Sequence, residues 1–415
     1  MSAEMISICA LGVMFVVATV LPINIGLLAF TGAFLVGTSA LGLSEDEIFE
    51  GFPVSLFVTI VGVTYLFSVA QRNGTIDVVV RTGIRLVRGK AALIPWVLFA
   101  VAAVLTAFGT FTPAAVALLA PVGLNFAHRF GLSQLMAGMM VISGAHAGAF
   151  SPIAVSGALV LGMVEQTPLN ISATALFAAS FGFNLLLSLV TFFLFGGFRR
   201  GGGAAAAPEG EDDATTGITW RQAVTLVALA GLVVGALVFH LEIGFLALLA
   251  ATALTLIDIR NQAKAVDGIS WSTILLVAGM VTYVEILEKA GTIEAISHGA
   301  ADMGAPLFVA LLLCFVVAIV SAFASSTAIL TAIIPIAVPL LLSSHLSAAG
   351  LVAALAISTT IVDTSPFSTN GALVLSNARG VDRGRFYRQI IGYTAGIVGA
   401  GPALAWGFLV LPNAF

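Results

Sequence analysis

Charge is what this sequence has least of. Of 415 residues, 16 are Lys or Arg, 20 are Asp or Glu and 5 are His, so 9% are charged, against about 25% in a soluble domain. Apolar residues make up 60% of the chain and mean hydropathy is +1.12. A soluble fold of this composition has too little polar surface to cover itself, which excludes a soluble enzyme, a nucleic-acid binder and a disordered chain. Cysteine is nearly absent: Cys9 and Cys314 both lie in apolar runs with no CxxC or Cys/His cluster, so neither a disulfide framework nor a metal site is indicated. No GxxxxGK[ST], GxSxG or HExxH motif stands on a credible soluble domain, which leaves no nucleotide hydrolysis or other enzyme chemistry to assign. Residues Met1 to Met5 carry no Lys or Arg, so the first apolar stretch reads as a retained span rather than a signal peptide. What is present instead is a succession of long apolar runs, the mark of an all-α, polytopic membrane protein.

The least hydrophobic interior stretch, 198–217, clusters Gly, Ala, Pro and acids without periodicity and reads as a flexible linker between two halves, 1–197 and 218–415. The halves match in order. Ile25-Gly26-Leu27 resembles Ile243-Gly244-Phe245. Val63-Thr64-Tyr65 followed by Gly74-Thr75-Ile76-Asp77 resembles Val281-Thr282-Tyr283 followed by Gly291-Thr292-Ile293-Glu294. Ala107-Phe108 with Pro121 resembles Ala322-Phe323 with Pro335, and Ser151-Pro152 before Gly157-Ala158-Leu159 resembles Ser365-Pro366 before Gly371-Ala372-Leu373. The offset drifts only from 218 to 214. Four matches in register indicate duplication. Each half then predicts three apolar spans (within 5–70 and 221–287), an amphipathic arm (75–89 and 290–302) and a helical pair (91–127 and 304–344). A segment interrupted by Ser-Pro (133–162 and 347–377) and a last span (170–196 and 389–411) complete it.

The basic residues choose the topology. If each helical pair is a re-entrant hairpin, each half crosses five times and the second copy is inverted. Fifteen of the 16 Lys and Arg then fall on the cytoplasmic side and only Lys289 falls outside. If the first helix of each pair spans instead, the same residues divide ten to six. The fold expected is therefore two inverted repeats, each of five transmembrane helices and one re-entrant hairpin, with both termini outside, in the plasma (inner) membrane. Such repeats with broken helices are the plan of many secondary transporters.

Helix starts inside a membrane leave backbone N–H groups that suit carboxylates. Thr112-Pro113 reads as a cap followed by proline at the first helical position, and Ser151-Pro152 and Ser365-Pro366 repeat the pattern. Ser326 or Thr327 supplies a fourth start. A simple kink is the alternative for each Ser-Pro. The candidate substrate-binding residues are Thr110, Thr112, Ser151, Pro152, Ser325, Ser326, Thr327, Ser365, Pro366, Thr369 and Asn370. Asp363 places a carboxylate beside the second break, at a cost of about 2.5–3.5 kcal/mol at mid-membrane. With Thr364, Gly148 and His146 it forms the candidate set for a coupling ion, Na⁺ or H⁺. Structural roles for Asp363 (bonding backbone N–H), His146 (a satisfied buried imidazole) and Gly148 (close packing) stay open.

Several of these segments resemble the malonate/dicarboxylate carrier family (MatC-type) of the ion-transporter superfamily. The likeness is carried by Gly51-Phe52-Pro53-Val54-Ser55-Leu56-Phe57, Val61-Gly62-Val63-Thr64, Asn73-Gly74-Thr75 and Gly148-Ala149-Phe150-Ser151-Pro152-Ile153. A weaker, superfamily-level similarity to divalent-anion/sodium symporters covers most of the rest. It implies an elevator-type homodimer in which hairpins and broken helices hold the substrate, usually with cation coupling. Those symporters carry Ser-Asn-Thr at each hairpin tip, whereas here the tips read Thr110-Phe111-Thr112 and Ser325-Ser326-Thr327.

The expectation is a secondary transporter, not an enzyme. It would move a small dicarboxylate such as malonate or succinate, coupled to Na⁺ or H⁺, with no cofactor and no nucleic-acid partner, as a homodimer among membrane lipids. A Na⁺/H⁺ antiporter of the same architecture and the membrane subunit of a binding-protein-dependent importer are the alternatives.

Overall fold

Backbone polar groups in a lipid environment must be satisfied within the chain, and long apolar runs meet that demand as helices. In the computed structural model, all regular structure among the described residues is helical. The structure describes the chain apart from Met1, Pro22, 86–90, Gln166, 197–216, His240, 293–294, 296–305, Ala324, His345 and 414–415. The expected linker therefore lies outside the described residues except for Gly217, and so does most of the second arm.

The first half forms α1 (Ala3–Val20), α2 (Ile25–Ala40), α3 (Glu45–Phe49), α4 (Val54–Arg72), α5 (Thr75–Arg85), α6 (Ile94–Ala107), α7 (Thr112–Arg129), α8 (Gln134–Ala149), α9 (Val155–Glu165) and α10 (Ala173–Leu194). The second forms α11 (Trp220–Leu237), α12 (Ile243–Ile257), α13 (Ile259–Gln262), α14 (Trp271–Lys289), α15 (Pro306–Ser321), α16 (Ser326–Ser343), α17 (Ala348–Thr360), α18 (Thr369–Ser376) and α19 (Arg383–Leu409). Among the described residues, five segments are long and apolar enough to cross a membrane: Val54–Arg72, Ala173–Leu194, Trp271–Lys289, Ala348–Ser376 and Arg383–Leu409. Several shorter apolar helices accompany them, as expected of a multi-pass membrane protein.

Local chemistry explains most boundaries. Asn24, Ser133, Ser172, Thr219, Ser347 and Asp382 each accept a bond from a first-turn N–H of the helix that follows. The last helix starts at Arg383, not near 389, because Asp382 caps it and its polar first turns need no apolar run. Two short elements escape a hydropathy reading. One is α3, held by the reciprocal Ser44–Glu47 capping box, and the other is α13 with the 3-10 turn Ala265–Gly268.

Glycines set the helix crossings on one side of the molecule. Helix α2 packs on α14, and α4 packs on α12. A Cβ on Gly279 would collide with the Gly26 carbonyl, and a Cβ on Gly62 would collide with the Gly244 carbonyl. Small residues admit such close backbone approach in membrane proteins. The two crossings are alike in their contacts: Gly26 and Gly244 are counterparts in the sequence match, and Gly279 and Gly62, one position out of that register, meet their carbonyls. Gly279→Ala is expected to destabilise the protein by about 1–3 kcal/mol, the usual range for overpacking. Gly231→Ala, where an added Cβ meets nothing within 4 Å, is expected to leave stability unchanged or raised. Thermal unfolding of the two variants in detergent checks this, and equal melting temperatures would contradict it.

A second group of helices builds the rest. Helix α8 packs against α6, α7 and α10, while α17 packs against α15, α16 and α19. Across the halves, α7 packs on α18 and α9 packs on α16.

Candidate functional site

Each interrupted segment breaks through the same local geometry. Ser151 and Ser365 each begin a β-turn with proline at its second position, as the fixed φ of proline favours. The turns close through Ala154 N–H to the Ser151 carbonyl and Ser368 N–H to the Ser365 carbonyl, both at 3.0 Å. The following helices therefore start at Val155 and Thr369, so Ser151-Pro152 and Ser365-Pro366 are turn residues and not helix caps. Ser368 caps α18 instead, accepting from Gly371 N–H. Glycines at 157 and 371 complete each turn, since a Cβ at either would collide with the Ser151 or Ser365 carbonyl.

The hairpin tips are also shifted by one residue from expectation. Phe111 occupies the cap position of α7 and Ser325 that of α16, and neither start has a side-chain cap. In α7, Pro113 has no N–H and Ala114 donates to the Phe111 carbonyl, which leaves the Thr112 amide. In α16 the first intrahelical bond runs from Ile329 N–H to the Ser325 carbonyl. The amides of Ser326, Thr327 and Ala328 precede it, and the Ser325 side chain caps none of them. Gly109, at φ 108°, turns the first tip; a Cβ there would also run into Val63.

Both tips and the second break meet at one cavity of about 470 Å³, which His146 and Ser156 reach from either side of the first break. Of the residues read from sequence, Thr112, His146, Ser325, Ser326, Thr327, Asp363 and Thr369 line it. Among the described residues no Lys or Arg does, and His146 and Asp363 are the titratable side chains that line it. They come from opposite halves: His146 Nε2 lies 3.5 Å from Asp363 Oδ2, and the same carboxylate oxygen accepts a 2.7 Å bond from the Ser326 hydroxyl. His146 and Asp363 are 2% and 8% exposed, so this carboxylate is held by the second hairpin tip and the first broken helix together.

The other expected residues do not reach this space. Thr110 lines a smaller cavity of about 140 Å³ beyond the first tip, where its Oγ1 has no hydrogen-bond partner. Asn370 does not point at the cavity; its Nδ2 lies 3.4 Å from His146 Nε2. Ser151 donates to the Ala107 carbonyl and so ties the first break to the first hairpin. Thr364 is buried 3.2 Å from the Thr394 hydroxyl. Gly148 is a packing glycine, because a Cβ there would collide with the Ala103 carbonyl and Thr106.

Sequence reasoning missed a wall of the cavity formed by Asn24, Ser272, Thr273 and Leu276, at the starts of α2 and α14. Asn24 accepts from Gly26 N–H and donates to Ser272, joining the two starts. An Asn directly before an apolar run was a readable cap signal. Its partner on α14, some 250 residues away, had none. Phe111, Phe323 and Phe367 add aromatic lining, with the Phe323 and Phe367 rings 5.5 Å apart.

A cavity of mixed polar and apolar lining beside broken helices in a helical membrane protein is the site type of a transporter. Residues 1–149 match the family of the dicarboxylate carrier protein MatC N-terminus, which bears out the MatC-type resemblance of the sequence. A carrier-family domain supports a transporter rather than an enzyme. No curated protein sequence gives a significant match to the chain.

Proposed function

We propose that the protein is a secondary active transporter of small dicarboxylates such as malonate or succinate, and that the cavity between the two hairpin tips is its substrate site. The observation that carries this reading is the convergence of two uncapped helix starts, α7 and α16, on a cavity lined, among the described residues, by no Lys or Arg. Backbone N–H groups and the positive ends of helices are then the means of holding carboxylates, and the N-terminal dicarboxylate-carrier match agrees. Coupling to a cation follows from the same electrostatics. A dianion entering beside Asp363 gains from a Na⁺ or a proton that offsets the carboxylate. Asp363 with the Ser326 hydroxyl offers oxygen donors for a cation, and the His146 ring lies beside them, 3.5 Å from the carboxylate.

In this reading the halves are inverted repeats and the hairpins re-enter the membrane. Contacts between distant ends support it. Lys289 meets Glu50 at 3.6 Å and the Ser7 hydroxyl meets that of Thr292 at 2.6 Å, while Asn73 donates to Thr225 at 2.7 Å. Each pair joins ends that the re-entrant topology puts on the same side, and that the six-crossing alternative puts on opposite sides. The tips also share a cavity with the middles of the broken helices, a depth suited to re-entrant hairpins. With the basic residues inside, the starts of α2 and α14 are cytoplasmic and the cavity opens inward. The transport group comprises α6–α10 and α15–α19; α1, α2, α4, α11, α12 and α14 form the scaffold, against which the transport group moves as an elevator.

The test is radiolabelled uptake into proteoliposomes across a dicarboxylate panel, with and without Na⁺, at two pH values. Accumulation of malonate or succinate is expected. The His146–Asp363 contact favours one second reading, a Na⁺/H⁺ antiporter. Na⁺-driven proton movement in the absence of any organic anion would select it.

A further inference from the structure

Most of the packing within each group of helices survives an exchange of the two halves, whereas the main contacts of α4 and α14 with the other group do not. In the scaffold, α2 on α14 is matched by α12 on α4. In the transport group, α9 on α16 is matched by α18 on α7. Between the groups, α4 packs on α9 and α14 packs on α16. Exchange of the halves would pair α14 with α18 and α4 with α7. Those are the two places where the cavities lie. The larger separates Ser272, Thr273 and Leu276 of α14 from Ser368 and Thr369 at the start of α18. The smaller separates Thr64, Phe67 and Ser68 of α4 from Ala114 and Leu118 of α7.

We infer that Glu242, with Leu56 and Thr59, forms the outer substrate entrance in a second state, in which the contacts between the groups are exchanged and a cavity opens between α4 and the start of α9. The inference rests on the carrier reading above and deepens it by naming the residues of the opposite entrance. Equivalent positions in the packing assign them: Asn24 and Glu242 cap corresponding helices, and Gly26 lies against Leu275 and Leu276 as Gly244 lies against Val58 and Thr59, which pairs Leu276 with Thr59 and Thr273 with Leu56. The local construction is already in place. Asn24 accepts from Gly26 N–H at 2.8 Å and reaches across to α14. Glu242 accepts from Phe245 N–H at 2.8 Å and from the Thr59 hydroxyl of α4 at 3.1 Å.

The two entrances differ in charge. The inner one carries the neutral amide of Asn24 and the outer one the carboxylate of Glu242. Glu242 is exposed, and a carboxylate at the mouth opposes an arriving anion. It therefore sets a weaker affinity for dicarboxylate at the outer face than at the inner one. Leu56 and Thr59 are 5% and 6% exposed in the present state and become accessible only after the exchange.

The test starts from a chain with Cys9 and Cys314 replaced by serine and alanine, whose dicarboxylate uptake is measured first. Failure of that uptake, and of uptake by the unaltered chain, would remove the carrier reading itself. Leu56→Cys and Thr59→Cys are then treated in intact cells with a membrane-impermeant maleimide while malonate is being transported. Both are expected to react from outside, and Leu66→Cys, on the same helix but outside the exchanged cavity, is expected to stay unreactive. No reaction at either position with uptake retained would overturn the inference and leave the carrier reading standing. Glu242→Gln gives an arm that needs no cysteine. It is expected to lower the KM for external substrate about threefold at low ionic strength, the order of a rim-charge effect, with the KM for efflux unchanged. An unchanged external KM would likewise overturn the assignment.

Discussion

Asp363→Asn is expected to abolish concentrative uptake while leaving the protein folded. The carboxylate is buried in the break between α17 and α18, accepts from Ser326 on the second hairpin and faces His146 from the other half. Asparagine keeps the shape and removes the charge. A hydrogen bond to a charged group is worth about 1.5–3 kcal/mol, so transport should fall by about 10- to 100-fold. Stability should move the other way or not at all. A charge at mid-membrane costs about 2.5–3.5 kcal/mol, and the neutral amide avoids that cost. A melting temperature at or above that of the unaltered protein, together with lost uptake, separates a functional role from a structural one. Unchanged uptake with unchanged cation dependence would remove Asp363 from the site.

The second large effect is expected from Ala328→Pro. The change deletes one N–H at the start of α16 and leaves the hydroxyls of Ser325, Ser326 and Thr327 in place. The first half carries a proline in the same first turn, one position earlier: Pro113 is the second residue of α7 and Ala328 the third of α16. Proline in a first turn interrupts no intrahelical bond. If the uncapped amides of α16 hold a carboxylate, losing one charge-assisted bond of about 1.5–3 kcal/mol should weaken dicarboxylate binding about 10- to 100-fold. Titration calorimetry on the purified variant measures this. Affinity equal to the unaltered protein's would place the carboxylate elsewhere.

Much of the helix order was legible because apolar length, N-cap residues and internal repetition are all local or periodic signals. Asn24, Ser133 and Ser172 mark helix starts in the sequence as plainly as in the structure. The site was legible in part. Thr112, Ser325–Thr327, His146, Asp363 and Thr369 were picked out as polar residues at interruptions of apolar segments, and the structure brings them to one cavity.

What failed to show in the sequence was the register of the breaks. Ser-Pro reads equally as a cap before a helix or as the start of a turn. Which one forms depends on the Gly157 and Gly371 contacts that close the turn. The wall at the starts of α2 and α14 was illegible for another reason: Ser272 is an ordinary first-turn residue until Asn24, far away in sequence, meets it. Thr110 and Asn370 were misplaced because a hairpin tip has two faces and a helix start several. The chain order does not say which face meets the cavity.

A structure of the protein in a lipid nanodisc with bound malonate or succinate shows whether a dicarboxylate sits between the two hairpin tips. A carboxylate is expected within hydrogen-bonding distance of the Ser326–Ala328 amides, in the cavity that Thr112, His146 and Asp363 also line. A dicarboxylate bound away from both hairpin tips would contradict it.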